Sequence, residues 1–159
     1  MRIFLAGIIQ GSHPGTELHD QDYRDEIKQI VGAHLPEATV TCPMDLHPNG
    51  IAYGPADIRR AFFSLVEQAA GADVLVAYLP EASLGTAIEI WEAYHAGRPV
   101  VTITPMRHNW VVNLLSEQVC YSLAEFGEFV AEGGMERIAE AAAARWAATP
   151  LPPRGERSE

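Results

Sequence analysis

The chain has 159 residues, and 11 Lys and Arg against 21 Asp and Glu leave a formal charge of −10. At about 100–200 residues per domain this length predicts one domain, and 48% apolar residues suffice for a buried core, which excludes global disorder. So acidic a surface repels polyphosphate backbones, which argues against binding a nucleic-acid polymer but leaves a small phosphorylated ligand in a local pocket open.

The N-terminal run Met1–Gly7 is too short for a secretory leader, and nothing in the chain approaches the ~18 apolar residues of a membrane span. A soluble, cytoplasmic protein with no membrane partner is expected. Ile3–Ala6 reads as a first strand that stops at Gly7, followed by a glycine-rich loop, IIQGSHPG. A helix is predicted from near His19 and Asp20 to about His34, with Ile27, Ile30 and Val31 on one face. Ala38–Cys42 is a second strand. Residues 43–55 hold Pro43, Pro48, Asn49-Gly50, Gly54 and Pro55 and read as a long structured loop, of the kind that often carries function.

Ala56–Ala70 predicts a helix with Ile58, Ala61, Phe62, Leu65, Val66 and Ala69 as its apolar stripe. Asp73–Leu79 is a continuous apolar run, the pattern of a strand buried on both faces. A short connection leads to a helix over Thr86–Ala96, closed by Gly97 and Pro99. Val100–Ile103 is the fourth strand. A short helix around Asn109–Leu115 and a fifth strand near Val119–Tyr121 follow. Glu125–Trp146 is a long Ala-rich helix that Gly133-Gly134 can divide. The domain is expected over residues 1–148, with the proline-rich, charged tail 149–159 disordered. Cys42 and Cys120 make neither a CxxC pair nor a disulfide framework and read as inert reduced thiols.

Alternating strands and helices at this spacing predict an α/β three-layer sandwich, flavodoxin-like or Rossmann-like, with a five-stranded parallel sheet of order 2-1-3-4-5. Ligands of such sheets bind beyond the strands' carboxyl ends, at the switch point between strands 1 and 3. Loops 7–18, 43–55, 80–86 and 104–110 are therefore expected to converge on one site.

Those loops carry the chemistry. Gly7, Gln10, Gly11 and Ser12 follow the first strand, where glycines let the backbone approach a phosphate or ribose. Ser83 and Gly85 stand where a helix begins, and its free N–H groups can hold an anion. Glu89 faces the same crevice, although a capping box with Ser83 or Thr86 is an equally good account of it. There is no GxGxxG, GxxxxGK[ST] or GxSxG, which argues against dinucleotide-dependent oxidoreductases, P-loop enzymes and serine hydrolases. His13, His19, Asp20, Asp22, Asp45 and His47 lack metal-ligand spacing, so no metal is expected.

IFLAG, ADVLVAYLP and SLGTAIEIWEAYHAGRPV resemble the nucleoside 2-deoxyribosyltransferase family, which includes N-glycoside hydrolases of nucleoside 5′-phosphates. The resemblance covers roughly residues 3–126. It implies that Glu89 is the nucleophile at C1′ of the sugar, a chemistry that requires no cofactor. Where the transferases acting on free nucleosides commonly carry Asp, this chain has Ser83, which suits a 5′-phosphate held with Gly11 and Ser12. The base-facing Asp common in the family falls on Leu65. Asp45 or Tyr53 is then expected to hold sugar or base. Asn109 and the Ser116–Gln118 region match the place where a neighbouring subunit completes the site, implying a dimer or larger oligomer. The substrate implied is a nucleoside 5′-monophosphate or nucleoside. A base-exchanging transferase and a non-catalytic nucleotide sensor are the rival readings.

Overall fold

The computed structural model describes residues 1–148, with side chains through Ala144. The expected tail, 149–159, lies outside the described residues. In chain order the elements are β1 (Arg2–Gly7), α1 (Asp22–His34), β2 (Thr39–Thr41), α2 (Pro43–Leu46), a 3-10 turn (Gly50–Ala52), α3 (Pro55–Gly71), β3 (Val74–Tyr78), α4 (Leu84–His95), β4 (Val100–Ile103), α5 (Trp110–Leu115), β5 (Gln118–Cys120), α6 (Leu123–Ala131) and α7 (Gly134–Ala148).

The five strands form one all-parallel sheet of order β2-β1-β3-β4-β5, the topology expected from the sequence. β1 and β3 form its centre, in register from Ile3 opposite Val74 to Gly7 opposite Tyr78. Their alternating side chains feed two cores. Ile3, Leu5, Val74 and Val76 face α1, α6 and α7 through Ile27, Val31, Phe126 and Met135. Phe4, Ala6, Leu75 and Ala77 pack with Ala69 of α3 and Ile90 and Ala93 of α4. Both faces are covered, which is why the strands read as continuous apolar runs.

Two expectations need correction. Residues 43–55 are not free of regular structure: Pro43 stands at the first position of α2, where its missing N–H costs nothing, and Gly50–Ala52 make a 3-10 turn. The apolar stripe of α3 is not simply a core stripe. Ala69 alone in that helix is fully buried, and Ile58 is half exposed. The long C-terminal helix is divided where Gly133-Gly134 allowed it, because Gly133 turns the chain at φ +72° between α6 and α7.

α6 also contains a capping arrangement of the Ser-x-x-Glu type. Ser122 Oγ accepts from the Glu125 N–H (3.1 Å), and Glu125 Oε2 accepts from the Tyr121 N–H (2.7 Å). Cys42 and Cys120 are buried free thiols, and burial pushes the Cys120 thiol up to about 11. Among the described residues no helix is long and apolar enough to cross a membrane.

Candidate active site

A cavity of about 520 Å³ opens beyond the carboxyl ends of β1 and β3. Its walls come from the loop after β1 (Gly7, Ile9, Gln10, Gly11, Leu18), from residues 43–53 and from the start of α4. The fourth wall is the α3 face bearing Ile58, Ala61, Phe62 and Leu65, of which Leu65 also packs against the core. Three of the four expected loops thus meet. Loop 104–110 contributes no lining residue; its Asn109 caps α5 instead, with Oδ1 accepting from the Val112 N–H (3.1 Å).

Of the residues singled out from the sequence, Gly7, Gln10, Gly11, Tyr53, Ser83, Gly85 and Glu89 line this cavity. Ser12 is exposed and does not line it. Asp45 does not line it either. It sits in α2 and meets Lys28 of α1, with Nζ donating to Oδ1 at 2.9 Å and Oδ2 at 2.8 Å. Sequence reading gave His47 no binding role, yet it lines the cavity, with Nδ1 3.2 Å from the Tyr53 hydroxyl. Its position in a Pro- and Gly-rich loop, six residues before Tyr53, was the only sequence signal.

At the start of α4 the capping box does not form. Ser83 is the N-cap residue in extended conformation, but its side chain caps no backbone N–H; its Oγ accepts instead from Thr86 Oγ1 at 3.1 Å. The first-turn donors of α4 therefore face the cavity without a side-chain cap, unlike those of α6. Glu89, one turn further in, is 8% exposed. Burial pushes its carboxyl up to about 8, against the opposing attraction of Arg24.

Arg24 was not visible as a site residue in the sequence, and its placement explains the first loop. It is 2% exposed, with Nη1 donating to Leu5 O (3.2 Å), Nη2 to Gly7 O (3.1 Å) and Nε to Gln21 Oε1 (2.7 Å). Gln21 Nε2 and the Tyr23 hydroxyl both donate to Ile8 O, at 3.1 and 3.0 Å. One helix start thus satisfies the carbonyls at the end of β1 and fixes the backbone that borders the cavity. Tyr23 stacks on Tyr78 at 4.1 Å between centroids, and burial raises its phenol above the ordinary range.

His19 Nε2 lies 3.0 Å from Glu81 Oε1, an ion pair only when the imidazole is protonated, beside Gly11, whose φ is +56°. Among the described residues no three His, Cys, Asp or Glu side chains gather in a metal-binding arrangement.

Solved structures with similar folds give this geometry a context. A 2-deoxyribosyltransferase from the psychrotolerant bacterium Bacillus psychrosaccharolyticus superposes with a TM-score of 0.60 at 18% identity, covering 80% of this chain and 90% of that one. The chain shares the 2-deoxyribosyltransferase fold. The CMP N-glycosidase BcmB of Clostridium botulinum superposes with a TM-score of 0.50, also at 18% identity, over 80% of this chain and 96% of its own. At these identities the likeness is one of fold. No protein-family model and no curated protein matches the sequence.

Proposed function

We propose that the protein is an N-glycosidase that cleaves the bond between sugar and base of a nucleoside 5′-monophosphate or nucleoside, with Glu89 attacking C1′. The observation that carries this reading is a buried carboxyl, held by helix α4 in a half-open cavity beside uncapped backbone donors. A carboxyl used only for helix capping would sit at the helix end in water. Glu89 is instead desolvated, where its carboxylate meets an electron-poor sugar carbon without competing water.

In the first step an oxygen of Glu89 forms a bond to C1′ while the bond to the base nitrogen breaks and its electron pair leaves with the base. Water then displaces Glu89 from C1′, giving the free sugar, or a second base takes the sugar in transfer. Arg24 attracts the ionised carboxylate and favours the attacking form. The uncapped N–H groups at Leu84–Thr86, with Ser83 and the backbone at Gly11, suit a 5′-phosphate. The apolar α3 wall suits the flat face of a base.

A second reading, base exchange on an uncharged nucleoside, is favoured by one observation. Among the described residues no Lys or Arg lines the cavity, and Glu81 stands beside its first loop. Chromatography of free base released from ribo- and deoxyribonucleosides and their 5′-monophosphates, with and without an acceptor base, separates the two. Release from monophosphates, lost in Glu89→Gln while ligand binding persists, is the expected outcome. Exchange restricted to unphosphorylated substrates would replace the phosphate reading, and ligand binding with no product from any substrate would make the protein a sensor.

A further inference from the structure

A departing nucleobase needs a proton or a strong hydrogen bond at a ring atom, and the question of its source rests on the N-glycosidase reading above. The wall against which a base would lie offers none: Ile58, Ala61, Phe62 and Leu65 are all apolar. Among the polar side chains of the cavity, Ser83 and Thr86 are bonded to one another at the start of α4, and Glu89 is committed to C1′. Gln10 carries only an amide, which gives up no proton. That leaves the loop between α2 and α3.

There His47 and Tyr53 line the cavity as a pair, with Nδ1 3.2 Å from the phenol oxygen and the rings edge to face at 5.7 Å and 85°. With Nδ1 engaged by Tyr53, Nε2 is the ring nitrogen left for a ligand. An imidazolium is a far stronger acid than a phenol, so of the two rings His47 is the proton source. We propose that His47 is the general acid for the departing base and that Tyr53 is its positioning residue.

In the imidazolium form Nδ1–H donates to the Tyr53 oxygen and Nε2–H donates to the base. As the bond from C1′ to nitrogen breaks, its electron pair passes into the base, whose ring nitrogen takes the Nε2 proton. Glu89 bonds to C1′ in the same step. When water displaces Glu89, the proton released by that water returns to Nε2, and the carboxylate and imidazolium are both restored.

The test uses leaving groups that need no proton. Guanosine 5′-monophosphate and cytidine 5′-monophosphate are each paired with a cationic counterpart, the N7-methylguanosine and N3-methylcytidine 5′-monophosphates, and the unphosphorylated forms run beside them. A methylated base departs neutral without an acid. His47→Ala and His47→Gln are expected to lower release of the neutral bases by about 10²–10⁴-fold, the usual worth of a positioned acid. Release of the cationic bases should stay within about threefold of wild type, since no proton transfer is removed from them. Tyr53→Phe should show a smaller loss with the same selectivity. Equal losses on both members of a pair, or no loss on the neutral one, overturn the assignment and leave the Glu89 reading standing. A wild-type protein silent on every substrate removes the N-glycosidase reading, and this acid with it.

Discussion

At the residue scale the proposed chemistry turns on the protonation of Glu89. Burial raises its carboxyl from the ordinary 4.5 to about 8, so in the empty cavity at neutral pH the group is largely neutral, whereas the attacking species is the anion. In His47→Ala, where the proposed general acid no longer titrates, the kcat/KM profile for base release is therefore expected to climb with pH and to level off above an inflection near 8; a flat profile from pH 6 to 9 would remove Glu89 ionisation from the mechanism. The same shift has a consequence for stability. Below 4.5 the carboxyl is protonated in both folded and unfolded chains, so it contributes no pH dependence there. Between 4.5 and about 8 the unfolded chain releases the proton and the folded one holds it, so wild-type stability falls as pH rises. Glu89→Gln, neutral at every pH, is expected to match wild type in thermal melting at pH 4 and to exceed it by on the order of a few kcal/mol at pH 8. A constant difference at both pH values would show that the carboxyl is hydrated rather than buried. Such a gain on removing a group is the mark of a residue kept for function at a cost in stability.

At the element scale the site depends on how closely α1 approaches the end of β1. A Cβ at Gly7 would run into the Tyr23 hydroxyl, which is bonded to Ile8 O and whose ring is stacked on Tyr78. Gly7→Ala is expected to cost about 1–3 kcal/mol by forcing that ring aside, a fall in Tm of roughly 3–10 °C. Gly85 has open space around its missing Cβ, and in the first turn of α4 an alanine there should leave Tm unchanged or raise it slightly. Equal melting of the two variants would refute the close contact. Neither distinction could be read from the sequence, where both glycines border the same predicted crevice. The strands could be read because burial on both faces writes itself as unbroken apolar runs, as in DVLVAYL, and strand alternation with helices then fixed the sheet order. The three residues of β2 and the turns within 43–55 carry weaker signals. Helix α2 sends Asp45 to Lys28, while the loop after it brings His47 to the cavity, a choice made by tertiary packing. The stripe on α3 shows the same limit: periodicity reports an apolar face, and only the assembled fold reveals that this one lines a cavity.

At the scale of the whole molecule, the outer face of α4 and α5 is unusually apolar. Leu84, Trp110 and Leu114 are 86%, 88% and 73% exposed, and Ile88, Trp91 and Val111 are each close to half exposed. A formal charge of −10 keeps copies apart, so an apolar surface of this kind on such a chain calls for a partner that buries it. A second copy meeting the same face about a two-fold axis would satisfy the requirement, since an isologous contact buries the same patch on both copies. Leu84 belongs both to the exposed face and to the lining of the cavity, so a partner on that face would also border the candidate site. Light scattering on the purified chain is expected to give a multiple of 17.4 kDa, and Trp110→Asp with Leu114→Asp to give 17.4 kDa. If the face serves the site, the double variant should also release base more slowly although no lining residue has been changed. A wild-type chain that stays monomeric at micromolar concentration would sever that link and leave the cavity to act with the walls of one chain alone.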